Sequence, residues 1–244
     1  MTDDLHRELE FETWRKERSA SLITPLGHLA LIETRWLAED ETLTAEEAAK
    51  SEPASVRVTS VDRRNILTDT KERGLRFWDS QSDAIKTFQG ISTFPFDPAW
   101  IIRGIFKRAP EGRTIPFEHL RDSGLTRELA VPGDIHVTID GRDYNLSAFD
   151  DDGELLLVFA DHTNLHQDPR FRTYPSGRFL FVDWAAGSDA VSGGEVVLDF
   201  NRAIIPPCGF SDAYNCPLPP PQNRIATEIT AGEIEILRTF TSSI

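Results

Sequence analysis

Apolar residues recur at helical spacing near the start of the chain, and from about residue 54 onward they alternate with polar ones. Over 3–18 (DDLHRELEFETWRKER), Leu5 and Leu9, then Phe11 and Trp14, stand three or four apart, and Asp3 or Asp4 can cap the start, which predicts a helix. The two apolar pairs do not merge into one stripe, so this helix is expected to lie on a body built elsewhere. Thr44 and Glu47 have capping-box spacing ahead of Ala48-Ala49, predicting a second helix over 44–50 within an acidic, exposed excursion at 38–54. Strand patterns follow at 55–61, 75–78, 100–106, 178–183 and 195–200, with a last strand at 224–230 or 233–240. The clearest signal is at 134–160. There DIHVTID, Tyr144–Phe149 and ELLLVFA are separated by Asp140-Gly141 and Asp150-Asp151-Asp152-Gly153. Asp-Gly suits a tight hairpin turn because both positions tolerate positive φ, so a three-stranded antiparallel meander is predicted.

Short strands at this density predict a mainly β protein, an antiparallel β-sandwich or barrel-like domain with N-terminal helical decoration. Residues 1–72 are expected to hold the helix and a partial β extension, and 73–244 the antiparallel β domain. With 244 residues the chain is long enough for one large domain or two small ones. Its 40 acidic residues against 26 basic give a net charge of −14, which disfavours nucleic acid and anionic membrane surfaces as partners. No apolar run approaches a membrane span. The opening Met1-Thr2-Asp3-Asp4 has no leader pattern, and with only two cysteines this points to a reducing cytoplasm, where Cys208 and Cys216 are expected to be thiols. Nothing in the pattern specifies an oligomeric state.

Candidate chemistry concentrates in the last third of the chain. Residues 206–221 (PPCGFSDAYNCPLPPP) hold six of the fifteen prolines, and so predict a stiff irregular loop rather than a strand or helix. That loop either fixes polar groups for a site or covers the open end of a barrel. Cys208 and Cys216, with seven residues between them and no second pair, do not match a zinc spacing. His162 and His166 would share a face only on a helix, and the surrounding Asp168-Pro169 indicates a loop, so no metal is expected. His136 reads as a packed mid-strand residue, and His28 follows a turn glycine. Arg170, Arg172 and Arg178 with Tyr174 crowd cations into an acidic protein, which suits a carboxylate or phosphate ligand, or else a structural pairing of Arg178 with an acid such as Asp199. Phosphate-loop, dinucleotide, nucleophile-elbow and H-E-x-x-H patterns are absent, and no cofactor is expected.

Several blocks together resemble one family. These are Phe88-Gln89-Gly90-Ile91 with Phe94-Pro95-Phe96-Asp97-Pro98-Ala99-Trp100, then Thr173-Tyr174-Pro175-Ser176-Gly177-Arg178-Phe179-Leu180. Leu198–Ala203, Pro206–Phe210, Cys216–Arg224 and Ala231-Gly232-Glu233 complete the set. They are similar to the domain of unknown function 1684 family of bacterial and archaeal proteins over about 72–233. The resemblance brings no reaction with it. It implies importance for Asp161, Thr163, Tyr174, Arg178, Asp199, Asn201, Asn223, Arg224 and Glu233, and no family histidine at the places of His162 and His166. It also implies a longer β-rich N-terminal portion, like a forkhead-associated sandwich, which residues 20–72 of this chain shorten.

Two functions follow from these residues. In the first, the protein binds or transforms a small anionic molecule in a pocket formed by the C-terminal signature. Arg178 and Arg224 would hold the anion, Tyr174, Asn201 and Asn223 would orient it, and Asp199 or Glu233 would be the candidate general base. The alternative is a non-catalytic protein-interaction module. Convergence of the signature side chains on a concave pocket would favour the first, and internal pairing the second.

Overall fold

The alternating run at 134–160 folds as β8 (Gly133–Ile139), β9 (Arg142–Asp151) and β10 (Glu154–Phe159), paired antiparallel in sequence order. Asp140 and Gly141 have φ of 50° and 70°, and Asp152 and Gly153 have 52° and 92°. Both hairpins therefore turn on two positive-φ residues, the conformation that matches strand twist. The computed structural model describes residues 2–65, 67–68 and 70–239 and divides into two compact units. The first unit is Met1–Phe11, Ile91–Pro206 and Cys216–Glu235; the second is Glu12–Gly90, Pro207–Asn215 and Ile236–Ile244.

In the first unit, β5 (Ile101–Arg108), β11 (Arg178–Trp184) and β12 (Gly194–Asp199) join the meander in a closed barrel of order β10-β11-β12-β5-β8-β9. The protein is mainly β, as its patterning predicts. Period-two alternation sends Ile135, Val137 and Ile139 of β8, Leu155, Leu157 and Phe159 of β10, and Leu180 and Val182 of β11 into one core. Phe200, Ala203, Ile225, Ile229 and Ala231, from loops, join that core. Each large side chain so buried contributes roughly 1.5–3 kcal/mol. A hairpin of β6 (Thr114–Glu118) and β7 (Thr126–Ala130) places Phe117 edge-on against Phe149, with centroids 4.2 Å apart.

In the second unit, β1 (Leu31–Trp36), β2 (Val56–Arg64) and β3 (Lys71–Asp79) form an antiparallel sheet of order β1-β3-β2. Helix α2 (Ala45–Ala49) starts at the predicted capping box, with Glu47 N donating to Thr44 Oγ1 and Thr44 N to Glu47 Oε2. It buries Ala48 with Val56, Leu75 and Phe77, so part of the expected exposed excursion packs on the sheet. Residue 72, the expected boundary, lies within β3, which pairs with β2 from Lys71 to Asp79.

The first helix, α1, runs over Thr2–Leu22, longer than predicted, and α3 (Asp83–Thr87) was not foreseen. Between β4 (Phe88–Thr93) and β13 (Glu233–Arg238) there is a two-stranded ribbon. The last strand is thus the second alternative, while 224–230 is loop with Ile225 and Ile229 buried.

Candidate functional site

The signature residues do not gather at one opening. They form separate buried knots, each replacing backbone partners that irregular loops cannot supply. The largest begins where β10 ends. Asp161 caps a 3₁₀ turn over His162–Leu165; its Oδ1 accepts from Thr163 N at 2.8 Å, Thr163 Oγ1 at 2.6 Å and Ile229 N at 3.3 Å. Its Oδ2 accepts from Arg178 Nη2 at 2.7 Å, and both side chains are fully buried. Arg178 also donates to Ile229 O at 2.9 Å and to Ala231 O, and its Cζ lies 5.2 Å from the Phe159 ring centre. Asn164 Oδ1 accepts from Asp161 N, while its Nδ2 donates to Thr173 Oγ1 at 2.9 Å and Tyr174 O at 2.7 Å. The Thr163 and Thr173 hydroxyls are 2.7 Å apart. The acid that pairs Arg178 is therefore Asp161, seventeen residues upstream, and not Asp199.

Asn201 is buried and braces another turn: its Oδ1 accepts from Asp97 N, and its Nδ2 donates to Asp97 O and to Asp199 Oδ1. Burial raises the Asp199 pKa above the usual carboxylate value, opposed by its hydrogen bonds from Asn201 and by Arg202 at 3.4 Å. Asn223, also buried, takes Ser147 N at 2.8 Å and donates to Ser147 O and Val158 O. Glu233 is 1% exposed and accepts from Ile205 N at 2.7 Å. Tyr174 is half-buried, and Arg224 is exposed, its backbone bridged to Ala160.

The proline-rich stretch is irregular as predicted, apart from a short 3₁₀ turn at Pro207–Gly209. In the first unit, Leu218 N donates to Glu118 O, and Pro219 packs against Gly177, where a Cβ would come within 2.4 Å of Pro219 Cγ and 2.6 Å of Phe159 O. Cys208 and Cys216 are both buried and are not joined to each other in a disulfide. Among the described residues no group of three His, Cys, Asp or Glu is placed to hold a metal. His166 Nε2 faces Glu228 at 3.6 Å, and its Nδ1 accepts from Asp168 N. Arg170 forks onto Asp168, holding that carboxyl down at about 2.

A 460 Å³ groove on the barrel wall is lined by Arg103, Ile105, His136, Thr138, Asp143 and Glu195, with Gly104, Val137 and Tyr144. Its charges are internally matched: Arg103 pairs with Glu195, and Thr138 donates to Asp143 at 2.6 Å. His136 faces this groove, half-buried, rather than packing in the core. Asn164 and Ser147 were not expected as partners. The Asp161-x-x-Asn164 spacing, read as a capping box, was the available signal for the former.

The loop between β10 and β11 exposes two large apolar side chains among its polar ones, which include His162, Gln167, Arg170 and Arg172. Leu165 is 79% exposed and Phe171 39%, the latter stacked on Phe94 with centroids 6.3 Å apart and 5.3 Å from the His166 ring.

A closed antiparallel barrel whose loops are tied by buried carboxylate, amide and guanidinium groups is the class of domain these features define. Residues 86–234 match the family described as "Protein of unknown function (DUF1684)", and the chain belongs to that family. It is also similar to an uncharacterized protein of Haloarcula marismortui with a solution NMR structure. The two are 30% identical, over 64% of this chain and 79% of that one, with a TM-score of 0.46. No curated protein matches the chain. No described helix is long and apolar enough to cross a membrane.

Proposed function

We propose that this protein is a non-catalytic interaction module, in which the signature builds a rigid display loop rather than a reaction centre. The observation that carries this reading is that the signature's polar groups pair with one another while the turn they brace presents Leu165 and Phe171. A general base must reach a substrate proton, and neither Glu233, 1% exposed and bound to a backbone amide, nor Asp199, held by Asn201, is offered to one. The small-anion reading needs Arg178 and Arg224 to hold the ligand together, and the buried Arg178 charge is already matched by Asp161. A buried ion pair adds little net stability but specifies geometry, and a loop ordered in advance lowers the entropy lost on binding.

The test is site-specific photocrosslinking. A benzophenone side chain placed at Leu165 in the full chain is expected to give a discrete adduct in host cells. The adduct is expected to disappear in Phe171→Ser at unchanged melting temperature. A yield no greater than from the same probe at Val191, 73% exposed on another loop, would refute the reading.

A further inference from the structure

We propose that the second unit carries an oxyanion site centred on Arg76, which takes the carboxylate or phosphate group of a small molecule. It belongs to the other unit and does not depend on the display-loop reading. Alternation along β3 sends Leu75 and Phe77 to the face covered by α2, leaving Arg76 on the opposite face between its cross-strand partners Thr34 and Thr59. On that face the Arg76 guanidinium lies 5.3 Å from the Tyr214 ring centre. His28 Nδ1 is 2.9 Å from Tyr214 Oη, and its ring stacks on Phe210, over which Arg18 also lies at 5.3 Å. The Ser211 hydroxyl donates to Leu31 O at 2.6 Å and holds this stretch against β1.

Among the described residues, Arg76 has no acid, carbonyl or hydroxyl acceptor for its guanidinium, and its Nε is buried without a partner. Thr34 Oγ1, on the directly paired residue, is likewise buried and unpartnered. Arg178 also has a buried Nε without a partner, but its charge is matched in place by Asp161, and Arg76 has no such acid. Donors removed from water without acceptors are costly, and a charged oxyanion is the acceptor that a guanidinium binds best, through two parallel bonds. The charges that bear on His28 are those of Arg18 and Arg76; with burial as the larger cause, they hold it neutral, near 4. The Arg76 guanidinium and a neutral imidazole therefore share an aromatic wall in a protein of net charge −14. An anion on Arg76 would supply the missing counter-charge, and His28 would sense it.

The experiment titrates the isotope-labelled full chain with inorganic phosphate, with benzoate, and with chloride at matched ionic strength. It follows the His28 ring and Arg76 Nε–H resonances. Phosphate or benzoate is expected to shift both saturably and to raise the His28 titration midpoint from about 4. Saturation by phosphate alone assigns a phosphate ester, by benzoate alone a carboxylate. Shifts that never saturate, or that equal those from chloride, would overturn the proposal. Arg76→Met is expected to weaken the response by about tenfold or more, and Arg76→Lys, which keeps charge but not the planar fork, to weaken it similarly. Arg172→Met, at an exposed arginine of the first unit, is expected to leave it unchanged. Wild-type affinity in either Arg76 variant would also overturn the site.

Discussion

Replacing Arg178 by methionine tests the internal pairing most directly. Methionine fills much of the same volume and keeps the contact with Phe159, but it leaves the Asp161 carboxylate without its cation. It also leaves the Ile229 and Ala231 carbonyls without a donor. Asp161 keeps three donors, from Thr163 N, Thr163 Oγ1 and Ile229 N, so its charge stays solvated in part. Breaking a fully buried pair from one side costs about 3–5 kcal/mol, and the orphaned carbonyls lie within that figure rather than adding to it. Urea denaturation at pH 7 is expected to show this as a lowered midpoint at unchanged slope, with a fall in melting temperature on the order of 10 °C. Asp161→Asn alone should cost a similar amount, because it strands the guanidinium. The double variant should cost clearly less than the sum. A loss under about 1 kcal/mol for Arg178→Met, or strict additivity in the cycle, would refute the Arg178–Asp161 pairing and restore Arg178 as a residue available to a ligand.

Gly141→Val is expected to cost about 1–2 kcal/mol by thermal unfolding: the φ of 70° opposes a β-branched residue although the space around it is open. Asn223→Ala strands Ser147 N, Ser147 O and Val158 O and should lower stability by about 2–3 kcal/mol, with faster amide exchange at Ser147 as the local readout. His28 is held near 4 when folded, below the 6.5 of an unperturbed imidazole, so its contribution is complete above about pH 6.5 and is lost as the pH falls to about 4. That loss amounts to about 3 kcal/mol, and His28→Gln, which keeps a partner for Tyr214, should flatten it in urea midpoints measured across that range.

Features decided within a few residues were legible from the chain itself. Asp140-Gly141 and Asp152-Gly153 turn the meander, Thr44 and Glu47 start α2, and period-two alternation selects which residues of β8 and β10 face the core. The family blocks also stood out, because their residue order survives without knowing any contact. Partner choice was a different matter. Arg178 could have met Asp199 or Asp161 on charge alone, and only the antiparallel pairing of β10 with β11 brings the end of one beside the start of the other. Asn223 reaches Ser147 across seventy-six positions, and Arg76 is left without an acid by the same kind of placement. Ile225 and Ile229 read as strand yet are buried in loop, since apolar spacing reports that a residue is covered, not what hydrogen-bonds its backbone. Local conformational preferences act over a handful of bonds and are written in sequence order. Electrostatic and hydrogen-bond pairing act through space, and for this protein the fold alone decided which polar groups are joined and which are left open.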